Sequence, residues 1–181
     1  MVDAMTTSLD DADKHSFSPD EDARLHIVFV CTGNICRSPM AEIITADALE
    51  DAGLDSVARA SSRGIGGWHI GQGADERAIA ELRRSGHDGA SHRVRQLSAQ
   101  DTDADLFVAL DSGHRRDLLT FGVAEDKIRL LRSFDPEADS PDVEDPYYGT
   151  AEDFVRTRHQ IEAALPGILE WVKAHQAPEV E

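Results

Sequence analysis

Near the start of the chain a cysteine is followed five residues later by an arginine and a serine, in Cys31-Thr32-Gly33-Asn34-Ile35-Cys36-Arg37-Ser38. These residue types in this order suit cleavage of a phosphate ester. A dianionic phosphate needs several hydrogen-bond donors at once. A loop curled around it, running from Thr32 through Ile35 and Cys36 to Ser38, offers its backbone N–H groups, and a following helix adds positive potential. Gly33 lets the backbone approach closely, and Asn34 tolerates a left-handed conformation. Arg37 supplies a planar fork that fits two phosphate oxygens. Cys31 sits at the base of the loop among donors and positive charge, surroundings that suit an anionic sulfur. Ser38 can donate a hydrogen bond to that sulfur. One device thus holds the phosphate and activates the nucleophile. An isolated cysteine is more often an inert core residue, but here the flanking segments agree with the phosphate reading.

A sulfur nucleophile also needs an acid to protonate the leaving oxygen. The candidate is Asp145 in Val143-Glu144-Asp145-Pro146-Tyr147-Tyr148-Gly149, a turn-rich segment that sets a carboxylate beside two aromatics. Alone, Asp145 reads more simply as the opening residue of a surface turn. The cysteine loop makes it the candidate general acid.

The elements that must position these groups alternate. Leu25 to Val30 is short, apolar and β-branched, as a buried strand should be. Ser38 suits a helix cap and Pro39 a first turn, and that helix ends at Gly53. Further strands are expected at Val57 to Ser61, Asp105 to Leu110 and Ile128 to Leu131. Helices are expected at Asp75 to Arg84, Ser112 to Leu119 and Ala151 to Val172, the last kinked or broken early at Pro166. Asp111 ends a strand near the site edge and fits a helix cap. Alternating βα units predict a four-stranded parallel sheet with helices on both faces. Ligands in such sheets bind beyond the carboxyl ends of strands, where Cys31 falls.

The formal net charge is −17, from 35 acidic and 18 basic residues. That field disfavours nucleic acid and anionic membranes as partners. No apolar run is long enough to span a bilayer, and no secretory signal is expected. The two cysteines fit a reducing compartment. A cytoplasmic location is expected, with signal-independent export left open. Residues 1–24 form an acidic segment without apolar periodicity, expected to be disordered. The folded domain is expected over 25–173, with a flexible tail over 174–181.

Together the two segments resemble the low-molecular-weight protein tyrosine phosphatases, whose signature is a Cys-x5-Arg-Ser loop and a late Asp-Pro-Tyr-Tyr-Gly. The resemblance covers about Leu25 to Val172. It implies a flavodoxin-like sheet, a phosphocysteine intermediate, and neither metal nor cofactor. By the same resemblance Cys31 is nucleophile, Arg37 phosphate binder and Asp145 acid. Asn34, Ser38, Ser62 and His92 hold the loop in shape. Cys36 is the family's second cysteine, and Trp68, Tyr147 and Tyr148 wall the substrate cleft, with His69 beside Trp68. The expected partner is a phosphotyrosine protein or peptide, and a monomer is expected. Tyr147 and Tyr148 are candidate targets of a partner tyrosine kinase. Arg63-Gly64-Ile65 departs from the family pattern after Ser62, which bears on cleft shape.

Two competing functions share these features. A thiol-dependent arsenate reductase of the same fold would need a third cysteine to relay electrons. A non-catalytic phosphotyrosine-binding module would need Arg37 but not both Cys31 and Asp145. A redox role for Cys31 and Cys36 is also expected: the curl that cradles phosphate brings them toward disulfide reach. The eight histidines show no metal-ligand spacing, and the arginine pairs Arg83-Arg84, Arg93-Arg95 and Arg115-Arg116 read as solvated faces.

Overall fold

The structure is a computed structural model that describes residues 22–177. The acidic segment and the C-terminal tail expected from the sequence lie outside the described residues over 1–21 and 178–181. Four parallel strands, β1 (Leu25–Cys31), β2 (Ala58–Gly64), β3 (Leu106–Ala109) and β4 (Ile128–Leu130), form one sheet in the order β2-β1-β3-β4. Four helices connect them: α1 (Arg37–Asp51), α2 (Glu76–Arg84), α3 (Ser112–Phe121) and α4 (Ala151–His175). This is the flavodoxin-like parallel arrangement.

Strand periodicity explains why both faces are covered. Ile27, Phe29 and Cys31 point to one face with Leu106 and Val108, and pack under α1, α2 and α4. Val28, Val30, Phe107 and Ala109 point to the other, against Leu118 of α3. A strand apolar at every position can only sit with both faces buried. The chain leaves β1 toward β2 on one side and returns to β3 on the other. The crevice at that reversal, beyond the carboxyl end of β1, is where such folds bind ligands.

Two local expectations change. Ser38 does not cap α1: the helix begins at Arg37 after Cys36, with no side-chain cap, because the Ser38 hydroxyl is committed to the loop. Pro166 does not break α4, which is continuous to His175. Pro166 lies on the exposed face, where water can meet the carbonyl it leaves unpaired, while Ala164 and Ile168 stay buried on either side. The helix also passes Val172 by one further turn, closing with the His175 ring stacked on Trp171.

At the N-terminal boundary Asp22 and Arg24 are already engaged. The Arg24 guanidinium donates to Asp22 (2.8 Å) and to the Asp55 carbonyl (3.2 Å), and Asp22 lies 3.2 Å from Arg59 Nε. The Arg24 contact holds the Asp22 carboxyl far below the usual carboxylate range.

Candidate active site

The loop between β1 and α1 carries the nucleophile candidate at its base. Cys31 is the last residue of β1 and only 3% exposed. From Thr32 to Ser38 no backbone N–H donates to a protein acceptor among the described residues; the first helical bond is Met40 N–H to the Cys36 carbonyl. Orphan donors gathered at a helix start form an anion cradle.

Asn34 shapes that cradle. It is the one non-glycine residue with positive φ (58°) among the described residues, a conformation that costs most side chains about 1–2 kcal/mol. Its side chain and carbonyl are held on every side. Arg95 N–H donates to Asn34 Oδ1 (3.0 Å), which fixes the amide orientation. Asn34 Nδ2 then donates to both Ser38 Oγ (2.8 Å) and Ser62 Oγ (2.9 Å). Ser62 donates in turn to the Glu42 carboxylate (3.0 Å), and His92 Nε2 donates to the Asn34 carbonyl (2.9 Å). Ser38 Oγ, accepting from Asn34, lies 2.9 Å from Cys31 Sγ. Its proton therefore points at the sulfur.

Arg37 is buried, and its guanidinium is used from both sides. Nη1 donates to Asp111 Oδ2 (2.9 Å) and to the Val143 carbonyl (2.8 Å). That leaves the Nε–Nη2 edge for an oxyanion, and Nη2 lies 3.6 Å from Asp145 Oδ2. Asp111 Oδ1 also accepts from His114 N–H (2.9 Å), so this residue both caps α3 and orients Arg37. Burial pushes its carboxyl up, but the His114 N–H and Arg37 outweigh this and hold it below its ordinary value. His114 Nε2 meets Thr32 Oγ1 at 2.9 Å. Burial, helped by Arg37, lowers the His114 pKa to about 4, so its ring is neutral at pH 7. Its Nδ1 is 3.3 Å from Asp111 Oδ1 but not aligned for a hydrogen bond.

Asp145 opens a short 3-10 turn, Pro146–Tyr148, and Oδ1 accepts from Tyr147 N–H (3.1 Å). Arg77 of α2 pins this turn by donating to the carbonyls of Tyr147 (2.9 Å) and Gly149 (3.3 Å). A cleft of about 220 Å³ brings together Thr32, Gly33, Ile35, Cys36, Arg37, Asp145, Trp68, His69, Tyr147 and Tyr148. Its rim is aromatic and open: Trp68 is 72% and Tyr148 91% exposed. The Trp68 ring covers Gly66, and His69 lies against Gly33, positions where a Cβ would collide or crowd. Asn34, Ser38, Ser62 and His92 are not in the cleft; they stand behind the loop. Cys36 is buried, and burial, then Asp75 and Cys31, push its thiol up.

Sequence reasoning did not single out His114, Glu42, Arg77 or the Val143 carbonyl. Arg77 had a signal, since Asp75-Glu76-Arg77 starts a capped helix. The others depend on contacts across the sheet edge that no spacing announces.

Comparison with known proteins assigns the chain to a family. A sequence profile described as low molecular weight phosphotyrosine protein phosphatase matches residues 26–177. The chain belongs to this family. It is 50% identical over 150 residues to low molecular weight protein-tyrosine phosphatase A of Mycobacterium tuberculosis, covering 82% of this chain and 91% of that protein. A crystal structure of a protein tyrosine phosphatase from Entamoeba histolytica superposes with a TM-score of 0.79 at 28% identity, covering 83% of this chain and 97% of that one. A Drosophila arginine phosphatase superposes with a TM-score of 0.75 at 29% identity, covering 83% and 99%. As a low molecular weight protein-tyrosine phosphatase the chain is a phosphoric monoester hydrolase. Among its described residues no helix is long and apolar enough to cross a membrane.

Proposed function

We propose that this phosphatase hydrolyses phosphotyrosine in proteins or peptides through a phosphocysteine intermediate at Cys31. The observation that carries the reading is the oriented Ser38 hydroxyl on Cys31, in a loop whose N–H groups have no protein acceptor among the described residues. In the first step Cys31 Sγ attacks phosphorus and the bond to the phenolic oxygen breaks. Asp145 gives its proton to that oxygen. In the second step the Asp145 carboxylate takes a proton from water. The water oxygen attacks phosphorus, the P–S bond breaks, and inorganic phosphate leaves with Cys31 restored as thiolate.

The charges sort these roles. A phosphate dianion seated on the Nε–Nη2 edge of Arg37 replaces the Asp145 carboxylate, now 3.6 Å away, as partner of that edge. Asp145 is then freed toward the leaving oxygen. Exposed Trp68, Tyr147 and Tyr148 form a slot for a flat ring. Phosphoserine, with a shorter arm, would leave its phosphorus short of Cys31. An arsenate reductase relay finds no third cysteine in the chain, and a mere binding module has no use for Asp145 beside Arg37.

The test compares kcat/KM on matched phosphotyrosine, phosphoserine and phosphoarginine peptides. Phosphotyrosine should lead by at least about tenfold, the scale of one aromatic contact. Equal values for phosphoserine, or a lead for phosphoarginine, would reject tyrosine as the substrate residue.

A further inference from the structure

The Asp145 side chain has little of its own to hold it in place. It is 44% exposed, and among the described residues its one hydrogen bond comes from Tyr147 N–H. A carboxylate that must come within hydrogen-bond reach of a leaving oxygen is therefore placed by the chain on either side of it. On the C-terminal side Arg77 holds the carbonyls of Tyr147 and Gly149. On the N-terminal side the holder is Asp142.

Asp142 Oδ1 accepts two hydrogen bonds from one residue, the Ser112 N–H (2.8 Å) and the Ser112 hydroxyl (2.7 Å). Ser112 is the first residue of α3. The residues before it hold the same segment. Val143 N–H donates to the Leu110 carbonyl (2.9 Å). Asp111 accepts from Arg37 Nη1, which also donates to the Val143 carbonyl. Hydrogen bonds and two peptide links thus close a ring that runs Arg37, Asp111, Ser112, Asp142, Val143 and back to Arg37. Buried Arg132 adds a bond from Nη1 to the Asp142 carbonyl (3.3 Å).

Helix α3 has its own cap in Asp111, which accepts from His114 N–H (2.9 Å). A second carboxylate, brought from outside the helix, serves the segment that carries it. Val143 lies two residues before Asp145, within about 7 Å of chain. One guanidinium therefore registers two things: its Nε–Nη2 edge faces the phosphate site, and its Nη1 holds the segment that leads to the acid. We propose that Asp142 is a positioning residue for the reaction. Through Ser112 it fixes this segment against the Asp111–Arg37 pair, and so sets where Asp145 stands relative to a bound phosphate. The proposal rests on the reading of Asp145 as general acid. Arg37 keeps Asp111 as its partner when Asp142 is changed, so proton transfer should depend on Asp142 and phosphate binding should not.

The test uses the full chain. It measures kcat/KM on aryl phosphates whose phenols span a range of acidity, together with inhibition by inorganic phosphate. Asp142→Ala should lower kcat/KM about 10- to 100-fold for the least acidic phenols, the scale of a catalytic group misplaced by up to ~1 Å. Esters of the most acidic phenols, which need no proton, should lose about twofold or less. The inhibition constant of phosphate should stay within about twofold of wild type. Asp142→Asn, which keeps the Oδ1 acceptor, should recover most of the loss. Ser112→Ala, which removes the hydroxyl and leaves the backbone N–H in place, should show the same graded pattern at smaller size. On an Asp145→Ala background Asp142→Ala should add nothing further. An equal loss for all leaving groups, an additive loss on that background, or phosphate inhibition weakened in step would overturn the positioning role. A uniform loss in Asp145→Ala itself would instead reject the general acid, and the proposal with it.

Discussion

Ser38 Oγ lies 2.9 Å from Cys31 Sγ, and among the described residues its proton has no other acceptor. Asn34 Nδ2 occupies the Ser38 oxygen, Arg95 N–H fixes which end of the Asn34 amide faces it, and Glu42 draws the Ser62 proton outward. A carboxylate and a backbone N–H at the far ends of this network thus set the polarity of the hydrogen bond at the nucleophile.

Ser38→Ala should therefore lower kcat/KM about 10- to 100-fold, the usual value of a hydrogen bond to a charged group. Alkylation of Cys31 by iodoacetate at fixed pH should slow in parallel. Unchanged alkylation and turnover would show that the Ser38 bond does not act on the sulfur.

Asn34 combines a backbone role with a side-chain role, and two variants separate them. Asn34→Ala and Asn34→Gly both lose the network, but only alanine pays for the positive φ of 58°. Denaturant unfolding should find the alanine variant less stable than the glycine variant by about 1 kcal/mol. Both should be slow enzymes. Equal stabilities would mean that the loop relaxes out of the left-handed conformation.

Much of this was legible in the sequence, because each signal was local. The β1 run shows both buried faces in five consecutive apolar residues, Ile27 to Cys31, and the loop motif follows it directly. Asp145 stands out in the sequence through Pro146 and the two tyrosines beside it, and the fold brings it 3.6 Å from Arg37 Nη2. The Ser38 cap was misplaced because a serine before a proline has the chemistry of a cap. Only the folded loop reveals that its hydroxyl serves Cys31. His114 was invisible for a similar reason: its partners Thr32 and Asp111 lie on the ends of two neighbouring strands, and sequence separation hides that adjacency.

His114 and His26 give the fold a defined response to acid. Burial, followed by nearby arginines, lowers both folded pKa values to about 4 from an ordinary 6.5. Between those values the unfolded chain binds more protons than the native one. Stability from this source is therefore complete above about pH 6.5 and is lost as pH falls toward 4. Urea midpoints across that window should decline in wild type. His114→Asn should reduce the part of the slope due to these two groups by roughly half, since one of two such groups is removed. A slope unaffected by the substitution would show that His114 titrates normally.

Asp145→Ala should slow cleavage of phenyl phosphates with poor leaving groups by about 10²- to 10⁴-fold. Esters of acidic phenols, which leave without protonation, should lose much less. A uniform loss across leaving groups would assign Asp145 to binding, through its 3.6 Å contact with Arg37, rather than to proton transfer.

Cys36 bears on oxidation. After peroxide converts Cys31 to a sulfenic acid, attack by Cys36 sulfur would form a disulfide and release water. Burial disfavours the Cys36 thiolate, so this step should be slow but protective. Wild type treated with mild peroxide and then a dithiol should recover activity, whereas Cys36→Ser should recover much less. Equal recovery would leave Cys36 as a packing residue beneath the loop.

The phosphocysteine itself is the most direct test of the account. Asp145→Ala, which also lacks the base for the second step, should accumulate it when mixed with an aryl phosphate that needs no acid. Rapid quenching followed by intact-mass analysis and peptide mapping should find one phosphoryl group, on Cys31, and none in Cys31→Ser. Turnover persisting in Cys31→Ser, or a phosphoryl group mapped to another residue, would contradict the mechanism.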